Sequence, residues 1–214
     1  MIHLRKSPLP PNITIKSEKD YQSGVVLDIL AEDCHNKCYI CEDKPTTINV
    51  EHIVPHRRDP KLKFDWNNLF LACSHCNNTK GKRYDGILDP TKCDPEEHIA
   101  LSIEITDNLI DQVQVESLKK DNSTLKTVEL LRLVYNGGST DIKDIECANL
   151  RNEHLSPIIH RFYRYIHNYR EEPDLGYEKK IREEIERSSA FAAFKRKMVR
   201  DDPELLKIFA DALK

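Results

Sequence analysis

No apolar run in the chain is long enough to cross a bilayer, no segment repeats, and no tract is compositionally simple. These gaps argue against a membrane-spanning protein, a solenoid and a low-complexity chain. Residues 1–30 lack the basic, apolar, small-residue order of a secretory signal, so the expectation is a cytoplasmic protein with no membrane role. A surplus of one charge is also missing. The 33 Lys and Arg face 36 Asp and Glu for a net charge of −3, which argues against indiscriminate binding of nucleic acid by the whole surface. Aromatic residues are only 7% and charged residues 32% of the 214, a globular composition in a chain long enough to bury a core.

Against that background the seven cysteines stand out, because thiols in a reducing compartment more often hold metal than form disulfides. Four of them form two CxxC pairs, Cys38/Cys41 and Cys73/Cys76. Each short turn aims both sulfurs one way, so the pairs together suit one tetrahedral zinc. Cys34 has no coordination position left to fill and reads as a packing residue. Cys93 and Cys147 sit alone and read as small buried residues.

The elements around the pairs follow from local pattern. SPLPPNI is proline-rich and reads as an extended arm. Residues 18–34 place Val25, Val26, Ile29 and Leu30 at helical spacing. Thr46–Val54 is β-branched and predicts a strand ending at Pro55, and Asn68–Ala72 predicts a second. A loop, HRRDPKLKFDW, separates them. A helix starts near Asn77 or Asn78, with Gly81 limiting its length. Farther on, Ile99–Ile105 and Leu109–Val115 suggest a hairpin around Thr106-Asp107-Asn108. Leu118–Tyr135, with Leu125, Val128 and Leu131, suggests a helix stopped by Asn-Gly-Gly. Ile142–Asn168, Tyr177–Met198 and Pro203–Leu213 suggest three more. The expected fold class is α+β, a small ββα finger pinned by zinc within a mainly helical protein. Its parts are an arm and helix (1–33), the finger (34–92) and a mainly helical C-terminal region (93–214) expected to bind a partner.

A closed four-cysteine site cannot activate water, so any chemistry must come from other residues. Phosphodiester hydrolysis needs a base, a divalent cation and groups that hold both in line. Within 51–83, seven Lys or Arg outnumber three Asp or Glu, a basic segment in an acidic chain. His52 is of the right type to be a base near neutral pH. Glu51 and the amide of Asn77 offer the hard oxygens that Mg2+ prefers. Neighbours 51 and 52 on a strand face opposite ways, so sharing one site requires a twisted strand end.

The segments CYIC, VEHIVPH and DWNNLFLACSHCNNTKG resemble the HNH endonucleases across residues 38–83. That resemblance implies a ββα-metal motif with His52 as general base, Glu51 and Asn77 on one catalytic Mg2+, and Asn68 tying down the loop that orients the histidine. Glu51 stands where Asp is more frequent, and Asn77 where many members have His. A wider resemblance, carried by MIHLRKSPLPPNI, DPEEHI and TVELLRLVYNGG, is to the HNH subunits (PtuB) of Septu-type and retron-associated anti-phage systems. It implies an ABC-type ATPase partner (PtuA-like) and a nucleic-acid substrate.

Blander readings accompany each of these. Glu51-His52 also suits a non-catalytic zinc knuckle that only binds nucleic acid, or an ATPase-regulatory subunit with a vestigial site. Lys80 reads equally as a phosphate contact or a solvated helix residue. His56, His75, Arg57 and Arg58 read as solvated loop residues, although the arginines suit a phosphate. Trp66 reads as core, and HRFYRYIHNYR as amphipathic packing or a partner interface ahead of a nucleic-acid surface.

Overall fold

In the computed structural model, which describes residues 1–104, 112–138 and 142–214, the chain is a mixed α+β protein, about half helical with small sheets. The arm lies on the body: Met1, Ile2 and Leu4 are buried, and the Leu4 amide donates to the Pro90 carbonyl. The first helical stretch is broken into α1 (Glu18–Tyr21) and α2 (Gly24–Asp33), with the break at Gln22-Ser23. Val26 and Leu30 of α2 enter the core, whereas Val25 is exposed.

β1 (Ile48–His52) pairs antiparallel with β2 (Leu69–Cys73), in a register that sets Ile48 opposite Cys73 and His52 opposite Leu69. β2 is buried along its whole length, as its sequence LFLAC suggests. The loop between the strands is more ordered than its polar sequence indicates. Asp59 caps a one-turn helix, α3 (Pro60–Lys63), by accepting from the Lys61 amide, and Asp65 caps a 3-10 turn at Trp66–Asn68 by accepting from Asn67. Trp66 is core, with its indole N–H on the Ser7 carbonyl and the Lys6 ammonium over its ring.

α4 (Ser74–Lys80) begins earlier than expected. Its cap is Cys73, whose sulfur accepts from the Cys76 amide at 3.4 Å, so the second CxxC is itself the helix start and the asparagines lie inside the helix. Gly81 ends α4 at φ 43°, where other residues are strained, and closes it by donating to the Asn77 carbonyl.

Beyond the finger, β3 (Ile99–Glu104) pairs with β4 (Gln112–Ser117), with Ile99 opposite Ser117 and Glu104 opposite Gln112. Thr106-Asp107-Asn108 lies outside the described residues. α5 (Asn122–Asn136) starts later than expected because Asp121 caps it, accepting from the Thr124 amide. It ends at Gly137. Val128 and Leu131 are buried as expected, but Leu125 is exposed. α6 (Ile142–Glu171) carries Pro157 within it.

The expected helix 177–198 is two helices, α7 (Tyr177–Ile185) and α8 (Ala192–Asp201). The break is tertiary in origin. Lys37, beside the first CxxC, donates to the carbonyls of Arg187 and Ser189, and the Phe191 amide donates to the Glu42 carbonyl, pinning 186–191 to the finger. These bonds use backbone groups that a continuous helix would keep for itself. α9 (Pro203–Phe209) follows, capped by Asp202.

One apolar cluster runs from Met1 to Phe194 and includes the four paired cysteines. A smaller one joins Phe162 and Ile166 of α6 to Ile181, Ile185, Val199, Leu205 and Phe209. Within the aromatic-arginine stretch on α6, Phe162 and Ile166 are buried in this cluster and Arg161 and Arg170 pair with Glu184 and Asp202, while Tyr163 is exposed.

Candidate active site and metal centre

The two CxxC pairs converge because β1 and β2 bring the knuckle at 38–41 beside the start of α4. The sulfurs of Cys38, Cys41, Cys73 and Cys76 all lie within 4.8 Å of one another, and Cys41 and Cys73 are 4.0 Å apart. Zn–S bonds of about 2.3 Å place tetrahedral sulfurs roughly 3.8 Å apart, so the cluster fits zinc with little movement. The donor set also suits a cation. Burial pushes the Cys38 and Cys76 thiols well above their ordinary range, while hydrogen bonds from the other three sulfurs pull Cys73 far below it. Four buried sulfurs cannot all ionise without positive charge among them.

Arg151, which carries no motif, supplies part of that charge. It reaches from α6 to within 4.0 Å of the Cys76 sulfur and donates to the Val134 carbonyl. Burial lowers its basicity, but Cys41, Cys76 and Cys73 more than reverse this. The Cys41 carbonyl accepts from the Tyr135 hydroxyl at 2.6 Å, a second tie between knuckle and helical body. Cys34 is buried outside the cluster, its thiol pushed up to about 11 by burial, as a packing residue. Cys93 and Cys147 are only half-buried.

A cleft of about 290 Å³ in the finger is bordered by Tyr21, Glu51, His52, His56, Arg57 and Asn77, among others. Three of the four residues singled out for catalysis therefore meet at one opening. Asn68, the fourth, is buried and does not border it. His52 is held from its far side: Nε2 lies 2.9 Å from the Lys63 carbonyl. That carbonyl is at the end of α3, where the last turn leaves carbonyls without helical partners. A carbonyl only accepts, so Nε2 carries the proton and Nδ1 keeps its lone pair. Burial lowers the His52 pKa, which favours the neutral ring.

Asn68 fixes the segment that provides this carbonyl. Its Nδ2 donates to Leu62 O (2.8 Å) and Val54 O (2.9 Å), and its Oδ1 accepts from the Val54 amide (2.8 Å). One buried amide thus clamps the end of β1 to the last turn of α3 and sets the distance between His52 and its acceptor.

Glu51 departs from the simple expectation. It is 5% exposed, with Oε1 2.9 Å from the Lys80 ammonium and Oε2 2.7 Å from the Tyr39 hydroxyl. Lys80 is neither solvated nor available to a phosphate: it is fully buried and donates also to the His52 carbonyl at 2.9 Å. The cause is helical spacing. Cys76 and Lys80 are four apart on α4, so a lysine there shares the inward face of the cysteine, where Glu51 receives its charge. Burial raises the Glu51 pKa, opposed by Lys80 and by both hydrogen bonds. Even so, Glu51 borders the cleft.

Glu51 and Asn77 both border the cleft and both carry oxygens of the kind a hard divalent cation takes. Lys80 already offsets the Glu51 charge. Tyr39, Arg151 and the Lys63 carbonyl carry no signal in the sequence. Lys80 had one, the spacing from Cys76.

A family model described as HNH endonuclease matches residues 32–83, the span that holds both cysteine pairs, both strands and α4. No curated protein and no solved structure gives a significant match. No helix among the described residues is long and apolar enough to cross a membrane. The matched span and the sulfur cluster agree with the ββα order of the strands and helix, and residues 32–83 are an HNH endonuclease domain.

Proposed function

We propose that the chain is a metal-dependent nuclease that hydrolyses phosphodiester bonds of nucleic acid with His52 as general base. The observation that carries this reading is the His52 ring, its Nε2 committed to Lys63 and its Nδ1 unprotonated, at the edge of the cleft that Glu51 and Asn77 also border. Nδ1 accepts a proton from water as the water oxygen attacks phosphorus. The bond to the 3′ oxygen breaks, leaving a 5′ phosphate, and solvent returns a proton to the leaving oxygen. When bound, Mg2+ supplies positive charge to the phosphate and the leaving oxygen. Glu51 and Asn77 would hold it, with Lys80 and Tyr39 orienting the carboxylate. Zinc at the four cysteines keeps the finger folded, and Asn68 keeps the imidazole aimed.

We further propose that the nuclease is the effector subunit of a cytoplasmic anti-phage complex with an ABC-type ATPase. The support is the likeness of the arm, of DPEEHI and of TVELLRLVYNGG to Septu-type HNH subunits. The test is cleavage of DNA and RNA, with and without Mg2+, by the wild type and His52→Ala, alone and with any ATPase that co-purifies after co-expression. His52→Ala is expected to fold normally and to lose roughly 10² to 10⁴-fold in rate. His52→Ala cutting at the wild-type rate under saturating metal would refute the assignment. Failure of any ATPase to co-purify would remove the partner proposal alone.

A further inference from the structure

The sequence offers His56 as a loop residue. The structure gives it a defined place and a defined tautomer. Its ring borders the cleft with His52, the two ring centres 4.8 Å apart and the planes at 62°. The amide of Arg58 donates to His56 Nδ1 at 3.0 Å, so in the neutral ring the proton is on Nε2. His52 and His56 therefore present opposite chemistry side by side, one a ring with a bare Nδ1 and the other a ring with a free Nε2–H.

The backbone is bent to make this arrangement. Arg57 (φ 47°) and Arg58 (φ 71°) both lie in the left-handed region, although neither is glycine. Two such residues in succession are strained, and strain of this kind persists only where surrounding structure imposes it. Here the Asp59 amide closes the turn on the His56 carbonyl at 2.7 Å, Pro55 restricts its entry, and Asp59 goes on to cap α3. The Arg57 guanidinium meets Asp85 at 2.9 Å, which ties the turn to the chain that follows α4. The turn thus sits between the clamp at Asn68 and the end of α4, and its strained residues direct the histidine ring.

We infer that His56 is a second catalytic residue of the cleft, donating its Nε2–H to a non-bridging oxygen of the phosphate that His52-activated water attacks. This rests on the nuclease reading above. No proton is transferred: the donor holds the phosphate in line and strengthens as charge grows on that oxygen in the transition state.

The test separates a donor from a packing ring. His56→Phe keeps a ring against His52 but has no donor. His56→Asn keeps an acceptor for the Arg58 amide but has no donor at the ε position. His56→Gln restores an N–H near that position. All three are compared with the wild type and His52→Ala in single-turnover cleavage of labelled DNA and RNA oligonucleotides in Mg2+, using the full chain with any co-purified ATPase, and their melting temperatures are recorded. The expected result is a loss of about 10²-fold in kcat for Phe and Asn with KM little changed, and recovery of most of it by Gln. If Phe destabilises the fold, the Asn variant carries the comparison. A His56→Phe or folded His56→Asn protein that cleaves at the wild-type rate, while His52→Ala is inactive, overturns the inference and leaves the nuclease reading standing. His52→Ala cutting like the wild type, or a wild type that cuts neither nucleic acid, overturns both.

Discussion

Replacing Lys80 with methionine removes the ammonium facing Glu51 and leaves a buried carboxylate with the Tyr39 hydroxyl as its remaining side-chain donor. The His52 carbonyl loses its contact with Lys80 at the same time. Breaking one side of a buried ion pair costs about 3–5 kcal/mol, because the charge left behind is neither solvated nor paired. The side chains of Lys80 and Glu51 are 0% and 6% exposed, so solvent screening gives little relief. For a chain of this size each kcal/mol lowers the melting temperature by about 2–4 °C, which puts the expected drop near 10 °C. Glu51→Gln in the Lys80→Met background removes the stranded charge, so the double variant is expected to be more stable than Lys80→Met alone, with a coupling of about 2 kcal/mol.

The assay is urea and thermal unfolding of the zinc-loaded protein without Mg2+. Repeating it with Mg2+ asks whether a cation at Glu51 and Asn77 takes over the work of the ammonium. The expected answer is that Mg2+ stabilises Lys80→Met more than the wild type. Effects that add within about 0.5 kcal/mol, or a Lys80→Met protein as stable as the wild type, would refute the account of the pair.

The zinc assignment predicts one zinc per chain by elemental analysis. Cys73→Ser is expected both to lower zinc content and to unfold the finger, since structural zinc contributes on the order of 10 kcal/mol of folding energy in small modules. Full zinc content in a stably folded Cys73→Ser protein would count against it. Asn68→Ala leaves Val54 N, Val54 O and Leu62 O without their partners, and about 1–3 kcal/mol of stability should go with it, together with a fall in cleavage rate from a loosened His52. Unchanged unfolding and cleavage curves would show that the clamp is dispensable.

The cysteine spacing, the β-branched run before Pro55 and the apolar LFLA segment were enough to indicate a zinc-pinned pair of strands followed by a helix. These are short-range signals: a CxxC turn, alternation and a glycine stop act within a few residues, so the linear text carries them. The residue types of His52, Glu51 and Asn77 likewise suggested their chemistry, whereas the role of Asn68 came only from the resemblance to HNH endonucleases. What the chain alone did not reveal depends on partners distant in sequence.

The break between α7 and α8 follows from Lys37 and Glu42, about 150 residues earlier, taking backbone groups of 187–191. Burial of Lys80 follows from the facing Glu51, and the charge that Arg151 brings to the sulfurs follows from α6 crossing behind α4. The aim of His56 needs a turn that two non-glycine residues would not adopt unaided. Local propensity proposes elements and candidate groups. Burial then decides which charges must be paired and which lone pairs are left for chemistry, and burial is a property of the folded whole.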